Sequence, residues 1–334
     1  MGRRNESSTA DFILLGLFPE CRHRNLLIYI ALLIYFVAIA GNAVLVLLIW
    51  VDFRLHVPMY FLLSQLSLVD AILISTAVPK MVADFFSGRR NISRVACGAQ
   101  MFLYLTLGDA ERLLLTLTSY DRYVAVCHPL RYPVLVSPVS CVKMVVVTWS
   151  GCVLGSLVHT TYTMNIPVRG AGEIHQYFCE LLIVLKLARR DTSTYDRVVI
   201  ASGLTLLLTP SSLIVASYAL IFLSVLRMAS REGRKKAPAT RSSHLAVVAL
   251  YFGPAVFIYV RPDSFRSPEQ NQALSVFPTI LTPALNPLIY SLRNKEVLRT
   301  LNKVLGKCSV RQWRRNVLRL SRLPLGNGRT GSLP

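Results

Sequence analysis

Two uncharged runs limit what this chain can fold into. Leu26 to Trp50 covers 25 residues without a charge, and Val198 to Leu226 covers 29. A helix needs about 20 apolar residues to cross the hydrocarbon core of a bilayer. Both runs exceed that. Leu26–Trp50 is also longer than the apolar core of a signal peptide and lacks a small-residue cleavage site, so it is expected to stay in the mature protein. Scanning the chain gives seven such segments, at 26–50, 57–82, 96–123, 141–163, 198–226, 244–260 and 272–292. The second, third and fourth carry isolated charges. The last two carry prolines, which membrane helices tolerate because neighbouring groups re-satisfy the freed backbone. With 334 residues, length alone would admit two soluble domains; the distribution of apolar residues excludes that. The expected architecture is an all-α membrane protein, a seven-helix bundle. It has an extracellular segment at 1–25, the bundle at 26–292, a short amphipathic helix after it, and a basic tail completing 293–334.

The net charge of +20 raises the question of nucleic acid. Position answers it better than total. With seven spans the termini lie on opposite sides. If the C-terminal side is inside, the inner segments, with the helix-end residues Asp121, Arg122 and Lys143 counted among them, carry 21 Lys/Arg and 4 acids, against 14 and 10 outside. That asymmetry follows the positive-inside rule with the N-terminus outside. The basic excess then holds orientation and meets anionic membrane lipid, and no nucleic-acid partner is expected. The sequons at Asn5 and Asn91 both fall outside, Asn5 being farther from the membrane and the better acceptor. Cys97 and Cys179 also fall outside, where an oxidising environment allows pairing.

Charges at mid-bilayer are costly and point to function. Stepping along the third segment at 100° per residue places Tyr104, Gly108, Glu111 and Arg122 on one stripe. Asp109 and Arg112, off that stripe, are spaced i, i+3 for a local ion pair. Asp70 in the second segment and Glu111 in the third stand at similar depth. Together they would share a proton or bind a cation; otherwise each is satisfied by its own neighbours. Asp121-Arg122-Tyr123 ends the third segment, where Arg122 either snorkels to the interface or acts as a switch held by Asp121 until a partner arrives. In the seventh segment, Asn286-Pro287-Leu288-Ile289-Tyr290 sets a kink beside an amide and a phenol.

These residues, with Gly41-Asn42, LHVPMYFLLSQLSLVD (55–70), SYDRYVAVCHPLRYPVL (119–135), Ser217-Tyr218, KAPATRSSHL (236–245) and PALNPLIYSLRNKEV (283–297), resemble the rhodopsin-like G-protein-coupled receptors, and within them the olfactory receptors. The resemblance covers roughly residues 5–306. It implies a receptor rather than an enzyme, in the plasma membrane of olfactory neuron cilia. A small, mostly apolar odorant would enter among Tyr104, Leu105, Gly108, Ser202, Leu206, Phe252, Ala255, Val256, Tyr259 and Thr279. A stimulatory G protein of the olfactory type would dock near Arg122 and raise cyclic AMP, with Asp121, Tyr123, Tyr218, Asn286, Pro287 and Tyr290 as switch residues. The resemblance further implies a Cys97–Cys179 disulfide and a sodium ion at Asp70 and Glu111, with no other cofactor.

The chain departs from that pattern in several places. Two further loop cysteines of the family are matched here by Arg169 and Arg189, which predicts a looser loop. Thr118-Ser119 precede Asp121, Arg112 stands for a cysteine, Tyr251-Phe252-Gly253 is inverted, and Pro238 and Arg241 alter the start of the sixth segment. The last four bear on coupling and make a receptor-like protein that no longer signals the main rival. A transporter is disfavoured because paired broken helices and inverted repeats are missing. An intramembrane enzyme is disfavoured because neither HExxH nor GxSxG occurs. From Lys307 to Pro334 the tail has seven Lys/Arg and no acid. It is read either as a basic surface-lying segment or as a disordered tail. Cys308 is a candidate for palmitoylation.

Overall fold

The computed structural model describes residues 12–18, 22–168, 172–226, 249, 252–253, 256–257, 268–294, 296–304 and 306. The long helices are α1 (Arg24–Val51), α2 (Pro58–Ser87), α3 (Arg94–Cys127), α5 (Pro138–Met164) and α7 (Ser193–Leu226). Short α4 (Tyr132–Leu135) and α6 (Leu181–Lys186) lie between them. The last apolar segment is α8 (Pro268–Val276), one wide π turn (Phe277–Leu281) and α9 (Thr282–Arg293). Of the sixth segment, Ala249, Phe252, Gly253, Val256 and Phe257 are described, all helical.

Local signals set the ends. Pro58 and Pro138 open α2 and α5, where their missing N–H costs no helical bond. The Ser93 and Ser137 hydroxyls accept from the Ala96 and Ser140 amides, each at 3.2 Å. Gly88 ends α2 with φ 68°, a left-handed conformation that only glycine adopts without strain. The wide turn at Phe277–Leu281 contains Pro278, which cannot donate to the helical ladder.

Among the described residues five helices are long and apolar enough to cross a membrane: α1, α2, α5, α7 and the run Gln270–Tyr290. Helix α3 is long enough at 34 residues. Asp109, Glu111 and Arg112 near its middle interrupt its apolar run, so its apolarity falls short. The outer surface differs from that of a soluble bundle. Leu33, Phe36, Val147 and Val215 are all more than 60% exposed, whereas Asn42, Asp70, Glu111, Ser119 and Asn286 are at most 1% exposed. Apolar side chains cover the outer surface as well as filling the core, and these polar ones are gathered inside, as a hydrocarbon solvent requires.

Helix α2 packs between α1 and α3, α3 also carries α5 and α7, and α9 returns to α1 and α2. The α1–α9 seam explains the Gly41-Asn42 pair. A Cβ at Gly41 would stand 3.0 Å from the Pro287 ring. The Asn42 amide donates to the Pro283 carbonyl at 2.8 Å, a carbonyl next to the proline-broken ladder.

A three-stranded sheet closes one end of the bundle. Strand β1 (Phe12–Leu14) runs antiparallel to β2 (Asn91–Ile92) and parallel to β3 (Glu173–Ile174). Phe12 lies opposite Ile92, and Ile13 opposite Glu173. The Cys97–Cys179 disulfide joins the start of α3 to the loop between α5 and α7. That loop is not left open at Arg189. The Arg189 amide donates to the Pro167 carbonyl at 2.8 Å and Val168 bridges to Ala188, so main-chain bonds join the two sides of the loop here. Arg169 lies outside the described residues.

At the opposite end, residues 296–304 form the expected short amphipathic helix. Val297 and Thr300 are buried while Glu296 and Arg299 face out. The Thr300 hydroxyl donates to Asp52 at 2.9 Å, and the Tyr60 hydroxyl donates to Asn294 at 3.2 Å.

Candidate functional site

The candidate residues fall into three levels along the bundle. At the sheet end, Tyr104 of α3 packs against Phe178 with ring centroids 4.5 Å apart. Leu105 joins the apolar cluster under the sheet. Tyr104, Leu105, Gly108, Ser202, Leu206 and Val256 are half-buried. Ser202 turns its hydroxyl back onto the Val199 carbonyl at 2.9 Å. Phe252 is buried in the main core. Ala255 and Tyr259 lie outside the described residues.

Thr279, an expected lining residue, lies beneath a loop side chain. It is fully buried, and its hydroxyl sits 2.5 Å from the Tyr177 hydroxyl and donates to the Ser275 carbonyl at 2.6 Å. The loop residue Tyr177 covers it. Glu180, two residues beyond Phe178, is held by the Gln176 amide at 3.3 Å. Burial raises its carboxyl above the usual range, opposed by Gln176 and Lys186. Gln100 completes this level: it accepts from the Cys179 amide at 2.9 Å and donates to the Thr76 carbonyl at 2.6 Å. Sequence reading missed Tyr177, Phe178 and Gln100. The one available signal was that Tyr177-Phe178 precede a disulfide cysteine.

At mid-depth the Asn286 amide donates to Asp70 Oδ2 at 2.9 Å. Asp70 Oδ1, both Glu111 oxygens, Asn286 Oδ1 and the Tyr290 hydroxyl are buried and make no hydrogen bond. The two carboxylates thus converge with α9, and several oxygens have no donor. Asp109 and Arg112 pair apart from this cluster, with Nη1–Oδ1 at 2.7 Å.

At the far end Asp121 does not hold Arg122: no ion pair joins them among the described residues. The Tyr132 hydroxyl of α4 donates to Asp121 at 2.8 Å instead. Tyr123 is 3.1 Å from His128. Tyr218 of α7 is buried in the main core, with Tyr290 packed against it. Tyr132 carries this contact although sequence reading quoted its motif without assigning it a role, since tyrosine spacing does not reveal a cross-loop bond. Asn91 is exposed on β2, whereas Asn5, Pro238, Arg241 and Cys308 lie outside the described residues.

A sequence profile of the olfactory receptors matches residues 31–308. The chain belongs to the olfactory receptor family. It is 50% identical to human olfactory receptor 2AG2 over 307 residues, 92% of this chain and 97% of that receptor. It is 51% identical to human olfactory receptor 2T27 over 308 residues, with the same coverage. It is 48% identical to mouse olfactory receptor 2V1 over 306 residues, again 92% and 97%. Membership makes the chain a multi-pass membrane receptor rather than an enzyme. It implies a seven-helix bundle, odorant ligands and G-protein coupling.

Proposed function

We propose that this olfactory receptor takes small, moderately hydrophobic odorants into the bundle below the disulfide-bearing end and activates a stimulatory, olfactory-type G protein that raises cyclic AMP. In this reading residues 1–25 and the sheet end face outward, 26–292 form the bundle, and 293–334 face the cytoplasm. The site of action is the plasma membrane, in olfactory neurons the cilia. Tyr104, Leu105, Gly108, Ser202, Leu206 and Val256 line the ligand space, an apolar wall with few polar groups, as suits small ligands. The main support is at the far end. With Asp121 occupied by Tyr132, Arg122 makes no ion pair with its neighbour, which suits a group meant to meet a partner.

The mid-depth cluster fits a hard monovalent cation. Asp70, Glu111 and the Asn286 carbonyl supply oxygen ligands with open capacity, and a buried carboxylate pair needs a compensating charge or a proton. A sodium ion there would neutralise the pair; the residues' own part is to hold α2, α3 and α9 together around it.

A cyclic AMP reporter assay with surface-displayed receptor and an odorant panel tests the reading. A dose-dependent signal lost in Arg122→Ala is expected. Silence from displayed receptor, persisting after Pro238→Phe and Arg241→Cys, would favour a receptor-like protein that no longer signals. Signal only after those substitutions would place the fault in coupling.

A further inference from the structure

The loop that crosses the sheet end does more than cover the bundle. Tyr177 is 1% exposed and belongs to the apolar cluster built from Ile28 and Ala31 of α1, Ala77 and Val78 of α2, and Ile280. Its ring therefore occupies the side of the bundle between α1, α2 and the last helix. Phe178 turns toward Tyr104 on α3.

Proton accounting fixes how Tyr177 is held. A hydroxyl has one proton to give. Thr279 gives its proton to the Ser275 carbonyl at 2.6 Å, and Ser275 gives its own to the Gln272 carbonyl at 2.8 Å. The Tyr177 hydroxyl then has two acceptors, Thr279 at 2.5 Å and Ser275 at 3.3 Å, and donates across the shorter contact. The Gln176 amide completes the set by donating to Ser275 at 3.3 Å. Gln272 extends the set to the N-terminal segment: its amide donates to the Gly16 carbonyl at 2.6 Å, and its carbonyl accepts from the Phe18 amide at 2.9 Å. The loop, the N-terminal segment and the wide turn of the last helix are thus joined by one polar chain. Thr279 and Ser275 are the polar floor that the tyrosine covers.

We infer that Tyr177 is a specificity-determining plug, which fills a latent subsite between α1, α2 and the last helix and thereby limits the length of ligand the receptor accepts. The subsite has apolar walls and, at Thr279 and Ser275, hydroxyls that would take a ligand's terminal alcohol or carbonyl in place of the tyrosine hydroxyl. This inference rests on the odorant-receptor reading for the identity of the ligand, though not for the existence of the plug.

The test therefore has two readouts. In the first, Thr279→Cys receptors on intact cells are exposed to a charged, membrane-impermeant thiol reagent, against matched receptors without that substitution. The added thiol is expected to be protected when Tyr177 or Tyr177→Phe covers it. It should be labelled when Tyr177→Ala uncovers it, and at an intermediate rate with Tyr177→Leu, which serves if the alanine variant is not displayed. Equal labelling in all backgrounds, or none in any, overturns the plug.

In the second readout, displayed Tyr177→Ala receptor is assayed with a homologous series of aliphatic alcohols. The half-maximal concentration should fall about tenfold for a chain two methylenes longer than the best wild-type agonist. Tyr177→Phe should leave the length optimum in place. An unchanged optimum in a displayed Tyr177→Ala receptor that still responds overturns the specificity role. If no alcohol or other odorant evokes a signal in any background while the labelling pattern holds, the plug stands and the odorant reading fails.

Discussion

The sheet end and the mid-depth of the bundle treat buried polar groups in opposite ways. At the sheet end Tyr177, Thr279, Ser275, Gln176, Gln272 and Gln100 are each engaged in hydrogen bonds, and a disulfide and strand pairing lie over them. At mid-depth Asp70 has one bonded and one unbonded oxygen, and Glu111 has at most a long contact from the Asn286 side chain. A satisfied polar network rigidifies what it joins, whereas unpaired buried groups are costly and leave the site responsive to an ion, a proton or a helix shift. The contrast separates a closed frame from a moving part.

The largest expected effect probes the frame. Cys179→Ser should lower stability by ~2–5 kcal/mol and strip the receptor from the cell surface, read by antibody staining of a tagged N-terminus. Near-normal display would mean that main-chain pairing and the Gln100 contacts hold this end by themselves. Asp70→Asn probes the other side of the contrast. Removing one of two crowded buried carboxyls should raise the thermal midpoint in detergent, because the remaining one no longer has to share a proton or a cation. It should also abolish any gain in stability when sodium replaces a bulky organic cation. The same sodium response in variant and wild type would remove the cation reading of this cluster.

Smaller effects are expected at the far end. Tyr132→Phe takes away the donor that holds Asp121, a bond worth ~1 kcal/mol. With Asp121 released to pair with Arg122, basal cyclic AMP should fall roughly fivefold by that measure; an unchanged baseline with normal odorant response would show that this bond does not keep Arg122 free. The smallest effect should come from Thr300→Val. The Thr300 hydroxyl and the Arg54 amide hold the Asp52 carboxyl below its usual range. A depressed carboxyl contributes stability above its ordinary titration range, and that contribution fades as pH falls through the lowered value. Thr300→Val should therefore lower the melting temperature slightly at neutral pH, with the difference vanishing in acid. A difference that persists at low pH would assign it to packing of the 296–304 helix instead.

Part of the site was legible in order of appearance and part was not. The i, i+3 spacing of Asp109 and Arg112 foretold their 2.7 Å ion pair, because helical geometry alone brings such residues together. The same kind of local reasoning misjudged Asp121, whose partner comes from α4 across a loop. Nor did it foresee that Thr279 is covered by a tyrosine 102 residues away. The main-chain bonds near Arg189 were not legible either, because they use backbone groups that every residue carries.

What the sequence by itself determined is the solvent and the scaffold. Uncharged runs of 25 and 29 residues require a bilayer, prolines and serines mark helix starts, and intramembrane acids stand out because burying them is expensive. The tertiary structure alone decided which of those polar groups are satisfied. It set the N-terminal strand between β2 and β3, brought Asn286 to Asp70, and seated Tyr177 on Thr279. The physical reason is range. Hydrophobic periodicity and capping act within a few residues, while a hydrogen bond is indifferent to sequence separation and needs only two atoms brought about 3 Å apart.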